Sequence, residues 1–265
     1  MNILLITFTL IFTLEAILAI VLTVLPRLGY LGKDLSEACT KAPLLDFILS
    51  VMLWIPWLVG ALMAGWFGLG ITLVAQILVM QIWCFVHASI YRQSPQDPRI
   101  YGFMNQKLGW WRNNLALWVT AVVVPVFFAI RFAEVFCYTP LAWMVGFPNY
   151  KHRDWVNVSR QKFEGLVGQD LIWCLYCDWM TGVYSLGAEM LRNVESFWCP
   201  IRFYDDKKCE NCKLDFPDIE RGWVAKEGTM EDVEEVLKKM YANSQSSWFG
   251  HPEREHPQVE INQDK

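Results

Sequence analysis

The sequence predicts a mainly α-helical, polytopic membrane protein of three to four spans, followed by a small, cysteine-containing, mostly helical C-terminal domain. Three observations predict it. From Phe47 to Tyr91, 45 consecutive residues carry no Asp, Glu, Lys or Arg. About 20 apolar residues cross the hydrocarbon region of a bilayer, so this run is long enough to cross twice. Charge is also divided unevenly: residues 1–147 hold 8 Lys/Arg and 6 Asp/Glu, whereas residues 148–265 hold 15 and 21. That asymmetry separates a lipid-embedded half from a water-facing half. Finally, five of the 8 cysteines lie after residue 170, four of them in two C-x-x-C pairs.

The transmembrane domain is expected over 1–147, with spans at about 3–25, 44–64, 71–90 and 115–137. The first stretch has no basic n-region, is longer than a signal h-region and ends in Pro26-Arg27, so it reads as a retained span. Pro56 predicts a kink in the second span. Gly65, Gly68 and Gly70 predict the turn between the second and third. The fourth is apolar from Leu115 to Ile130 and then meets Arg131 and Glu134, whose i, i+3 spacing suits a membrane interface. Residues 26–43 and 92–114 read as loops, the latter broken by Pro95 and Pro98.

These two loops carry Arg27, Lys33, Lys41, Arg92, Arg99, Lys107 and Arg112, so the positive-inside rule places them in the cytoplasm. A complete fourth crossing would put the C-terminal domain outside, and a partial one would leave it cytoplasmic. The Arg131/Glu134 spacing and the five cysteines after residue 170, which cannot all pair among themselves, favour the cytoplasmic side.

The water-facing domain is expected over 148–242. Ile172, Leu175, Trp179, Val183, Leu186, Met190, Val194 and Phe197 recur at helical spacing. Gly182 and Gly187 interrupt the pattern and leave two helices as an alternative to one. Thr229 is the N-cap of a short last helix, with Asp232 closing an imperfect capping box and Glu234–Lys238 an i, i+4 pair. Residues 243–265 are polar, carry Pro252 and Pro257, and read as a disordered tail.

Cys174 and Cys177 (WCLYCDW) and Cys209 and Cys212 (KKCENCK) each present two thiols at C-x-x-C spacing, with Cys199 between them. Thiolates bind zinc and iron–sulfur clusters, and paired spacing brings two to one metal. The first pair sits inside an apolar helical pattern, where i, i+3 cysteines share a face. Lys207, Lys208 and Lys213 around the second pair favour thiolate. A disulfide set and unconnected core cysteines are the other readings. Cys84 and Cys137 read as small apolar core residues. Asp170 shares a helix face with the first pair, as an exposed acid or a mixed ligand.

Glu15 falls in mid-span, where a carboxylate is costly and must find protein, water or a proton. It reads either as a relay or as a structural pair with Arg131, Gln76 or Gln81. The sparse histidines argue against haem and di-iron sites. No P-loop, Rossmann fingerprint or nucleophile elbow occurs. The acidic C-terminal half argues against nucleic acid.

The expected function is a membrane-anchored metal or iron–sulfur protein supporting redox chemistry, as an electron-transfer partner or oxidoreductase subunit. Its ligands would be Cys174, Cys177, Cys209 and Cys212, with Cys199 a fifth candidate and an iron–sulfur cluster or zinc as the cofactor. The alternative is a non-catalytic assembly or interaction subunit of a membrane complex, with structural zinc or no metal. The expected partners are the lipid bilayer and, in the alternative, other membrane subunits. The residues do not assign a catalytic role.

Overall fold

The computed structural model describes residues 2–92, 98–147, 149–201, 224–225 and 227–241. Among them 83% are helical and no strand occurs. Three apolar segments are long enough to cross a membrane: Ile3–Arg27, Leu44–Tyr91 and Trp110–Val145. The helices are α1 (Ile3–Val24), α2 (Gly29–Cys39), α3 (Leu44–Met52), α4 (Trp54–Tyr91), α5 (Ile100–Leu108), α6 (Trp110–Ala121), α7 (Val124–Phe132), α8 (Tyr138–Val145), α9 (His152–Trp155), α10 (Gln169–Trp198) and α11 (Met230–Tyr241). The chain divides into two compact units, Met1–Phe128 with His152–Val183, and Ala129–Lys151 with Tyr184–Lys265.

In the first unit, the Asn2 side chain starts α1 by accepting from the Leu4 amide at 3.1 Å. The 22 residues of α1 rise through roughly 33 Å at 1.5 Å per residue. Helix α4 leaves helical geometry at Ala64 and Gly65, where Gly65 takes φ +59°, a left-handed value that suits glycine. The chain folds back there. Gln76 Nε2 donates to the carbonyls of Met52 and Leu53 at 2.8 and 3.0 Å, and Trp57 Nε1 donates to Gln76 Oε1. The arms approach so closely that a Cβ on Gly60 or Gly68 would overlap backbone of the other.

Helix α1 lies along this hairpin. Thr7 Oγ1 contacts Met63 Sδ near the turn, Trp83 Nε1 donates to Thr23 Oγ1 at 2.9 Å, and the Arg27 guanidinium sits 4.7 Å over the Tyr91 ring.

The expected turn of three glycines is therefore one glycine wide. Gly68 and Gly70 are helical, and the third apolar stretch starts at Trp66 rather than residue 71. The expected loops 26–43 and 92–114 contain α2, α5 and the start of α6. The last apolar segment begins at Trp110 rather than Leu115 and extends to Val145. It is interrupted after Ala121, where Pro125 lacks the N–H a continuous helix needs, and Ala133–Cys137 widens into a π-helical turn.

The chain that departs at Trp110 is back beside α2 by Val156. The Ala42 amide donates to the Val156 carbonyl at 3.0 Å and the Val158 amide to the Thr40 carbonyl at 2.8 Å. Glu37 bonds Lys41 at 2.9 Å and Lys162 at 3.2 Å. Those ammonium groups, Lys41 first, hold its carboxyl below the ordinary range.

Helix α10 runs unbroken through Gly182 and Gly187. In the first unit, Gly182 packs on the backbone of Trp155 and Val156, where a Cβ has no room. The glycine serves close approach, not termination. Here α10 runs parallel to α6 and α7, because the contacts advance together: Trp118 with Trp173, the Thr120 carbonyl with Tyr176 Oη at 2.9 Å, Phe128 with Trp179.

In the second unit, α10 continues beside the π-turn and α8. Asn193 Nδ2 donates to Tyr138 Oη at 2.8 Å, and Phe147 packs edge-on to Phe197. Arg131 and Glu134 form a 2.6 Å ion pair with side chains 7% and 2% exposed, so they are buried together rather than facing an interface. Helix α11 is capped as expected: the Thr229 amide donates to Asp232 Oδ2 at 2.7 Å, and Lys238 pairs with Glu234. The tail 243–265 lies outside the described residues.

Candidate functional site

A cavity of about 1780 Å³ opens within the first unit, walled by α1, α3, α4 and the stretch from Val158 to Trp179. Small-molecule sites are typically ~300–1,000 Å³, so this one has room for an elongated molecule. Leu45, Val79 and Leu171 give it apolar wall, and Trp57, Trp83, Trp118, Trp173 and Trp179 face it with indole rings. The local reasons are sequence reasons. Helical spacing puts Gln76, Val79 and Trp83 on one side of α4, and the same period aligns Ile172, Leu175 and Trp179 on α10.

Most polar groups around the cavity are spoken for. Asp170 accepts from the Tyr101 amide at 2.8 Å and from Arg99 Nε at 3.3 Å, while Arg99 also reaches the Val167 carbonyl. His87 stacks between Trp83 and Tyr91, and its Nδ1 accepts from the Gly168 amide at 3.3 Å. Gln169 donates to Gln81 at 3.0 Å. Gln76 and Gln81 thus act as hydrogen-bonding groups between segments.

Glu15 and Trp179 differ, as does Gln161, a lining residue whose buried Oε1 has no partner among the described residues. Glu15, 5% exposed on α1, has Gln76 beside it, yet its Oε1 finds no hydrogen-bond partner among the described residues. Trp179, 2% exposed on α10, packs against Phe127 and Phe128, and its Nε1 finds none either. A buried donor or acceptor left unsatisfied costs about 1–3 kcal/mol. Sequence reasoning singled out Glu15, because charge within an apolar span is visible. It took Trp179 as one more apolar position in a helical period, since nothing in a sequence marks an indole N–H that lacks an acceptor.

The cysteines fall in different places. Cys174 and Cys177 lie one turn apart on α10 in the first unit, Cys174 half-buried and Cys177 exposed. The Arg160 guanidinium hydrogen-bonds Cys174, which raises its already high pKa first, with Cys177 and Asp178 adding to the effect. Asp178 fixes that loop by accepting from the Ser159 amide at 2.6 Å and the Arg160 amide at 3.2 Å. Cys199 follows α10 in the second unit and is exposed. Cys209 and Cys212 lie outside the described residues.

No group of three or more His, Cys, Asp or Glu able to hold a metal occurs among the described residues. The described residues thus offer two adjacent thiols, half of the expected four-thiolate set. Cys84 is buried as expected, Cys137 is exposed, and Asp170 is committed to Arg99 and Tyr101.

The fold and site define a class: a mainly helical protein with three apolar segments of membrane length and a large, mostly apolar cavity in one unit. No family model matches this chain, and neither a curated protein nor a solved structure matches it.

Proposed function

We propose that this is a multi-pass membrane protein that holds an elongated apolar molecule of lipid type in the cavity of its first unit. The cavity carries the reading: its volume exceeds that of ordinary metabolite sites, and its wall is apolar with few polar groups. Support for a bilayer comes from the surface. Leu5, Leu14, Ile17 and Ile20 on α1, and Leu62, Phe67, Phe85 and Ile90 on α4, are all more than 45% exposed. Such faces are costly in water and neutral against acyl chains. Trp66 and Trp143, 87% and 86% exposed, suit the headgroup boundary.

The test is the lipid content of the full chain purified in mild detergent, extracted and analysed by mass spectrometry. The expected result is about one enriched amphiphile per chain. Leu171→Trp, which fills the wall, should lower it roughly tenfold, a loss of ~1.4 kcal/mol of binding, while the helical signal is retained. Lipid that mirrors the bulk membrane, in wild type and variant alike, would count against the reading.

A second reading keeps the cysteines, favoured by Arg160 against Cys174 and by the accessible Cys177. In it the chain anchors a zinc ion or iron–sulfur cluster, and thiolates from Cys174 and Cys177, with Cys209 and Cys212, supply the ligands. Joint replacement of Cys174 and Cys177 by Ser should reduce bound iron or zinc to background in anaerobically purified protein. Unchanged metal content would sink this reading.

A further inference from the structure

We infer that the molecule in the cavity is an anionic amphiphile, its acidic head group at the end that carries Arg27, Lys33 and Arg92 and its chain along the apolar wall. The inference rests on the cavity reading above and names the class of its occupant. Separate pieces of chain bring the cations to one end. The Arg27 guanidinium lies 4.7 Å over the Tyr91 ring, Arg92 follows Tyr91, and both arginines line the cavity. Tyr91 stacks on His87, whose Nδ1 accepts from the Gly168 amide, and the adjacent Val167 carbonyl accepts from Arg99. On α2, Lys33 stands one turn before Glu37, which bonds Lys162.

Positive charge is in excess there. Asp170 and Glu37 match Arg99 and Lys162. Glu164 is the further carboxylate set against Arg27, Lys33 and Arg92 among the described lining residues, since Glu15 lies 12 residues before Arg27, roughly 18 Å away at 1.5 Å per residue. Arg27 and Lys33 have no carboxylate partner among the described residues. Both are exposed, so an acidic head bound to them keeps contact with water and avoids the cost of a fully buried charge.

Helix α2 gives the depth of this end. Lys33, Ser36, Glu37 and Thr40, on and just after it, line the cavity. Leu28, Leu31 and Leu35 fall on the opposite side and are exposed. A helix with one polar face and one bare apolar face lies in the headgroup plane of a bilayer. Cations at that level attract the heads of anionic lipids. A neutral head would leave the excess charge unanswered, and a cationic head would be repelled.

The experiment compares hexadecanoate, hexadecyl phosphate and hexadecanol as probes. Each is added to the full chain in non-ionic detergent, and the bound fraction is read by native mass spectrometry. Wild type should retain both acids about tenfold better than the alcohol, the worth of one charge-assisted contact. The double variant Arg27→Gln with Lys33→Gln should erase that preference by weakening the acids alone. Lys107→Gln removes an exposed cation on α5 that does not line the cavity, and should leave the preference intact. Inorganic phosphate should not displace hexadecanoate, because the chain holds it.

Equal retention of acids and alcohol by wild type, a preference that survives the double variant, or an equal loss in Lys107→Gln each overturns the anionic-head inference while leaving the cavity reading standing. Displacement by inorganic phosphate would make this a site for a free anion and overturn it too. Failure of all three probes to bind overturns both.

Discussion

Gly68→Val is expected to abolish the folded first unit. The two arms of α4 meet at Gly60 and Gly68 with no room for a Cβ on either side, and at Gly68 the atoms in the way are those of the Gly60 backbone carbonyl, which cannot rotate aside. A branched side chain there must push the arms apart. That separates Gln76 from the carbonyls of Met52 and Leu53 and from Trp57. A destabilisation beyond about 4 kcal/mol is expected, in the class of severe overpacking.

The reading is the thermal midpoint in detergent, or the yield of monodisperse protein where the variant does not survive purification. Gly70→Ala is the control. A Cβ there meets nothing within 4 Å, and alanine favours the helix by up to ~1 kcal/mol, so its midpoint should hold or rise. If both substitutions behave alike, the helical hairpin is wrong.

Asp170→Ala carries the second largest effect. The Asp170 side chain is 5% exposed and serves two partners, the Tyr101 amide and the Arg99 guanidinium, itself 21% exposed. Removing the carboxylate leaves a largely buried cation and a buried amide without their acceptor, which costs about 3–5 kcal/mol when one member of such a pair is deleted. Asp170→Asn keeps an acceptor for the amide and loses only the charge, so a smaller loss, about 1–2 kcal/mol, is expected. Equal midpoints for the alanine variant and wild type would show that this contact contributes nothing. An alanine variant less stable than the asparagine variant, itself below wild type, supports the assigned roles.

Both residues illustrate what a sequence hides. Gly68 was legible as a turn residue, because glycines cluster at 65, 68 and 70. Its work is instead to let two helices touch, a property of the pair Gly60–Gly68 eight residues apart. Gly182 and Gly187 repeat the lesson. They look like interruptions of a helix, yet α10 is continuous, and Gly182 sits where the backbone of Trp155 and Val156 presses against it. Asp170 looked like a surface acid or a companion of the cysteines. Its partners lie about 70 residues earlier in the chain, and no local pattern points to them.

The sequence by itself determined the helical class, the three apolar segments of membrane length, the cap of α11 and the presence of a carboxylate in the first apolar segment. Each follows from local physics: the period of apolar residues, the absence of charge over a long run, and the reach of one short side chain to the next turn. Only the tertiary structure decided that the 44–91 run folds back at Gly65, that 156–158 returns to lie against 40–42, and that Arg131 and Glu134 are buried together. It alone encloses a cavity whose wall carries Glu15 and Trp179. Those features depend on which backbones approach one another and which polar atoms lose water on approach, quantities set by contacts between residues tens of positions apart.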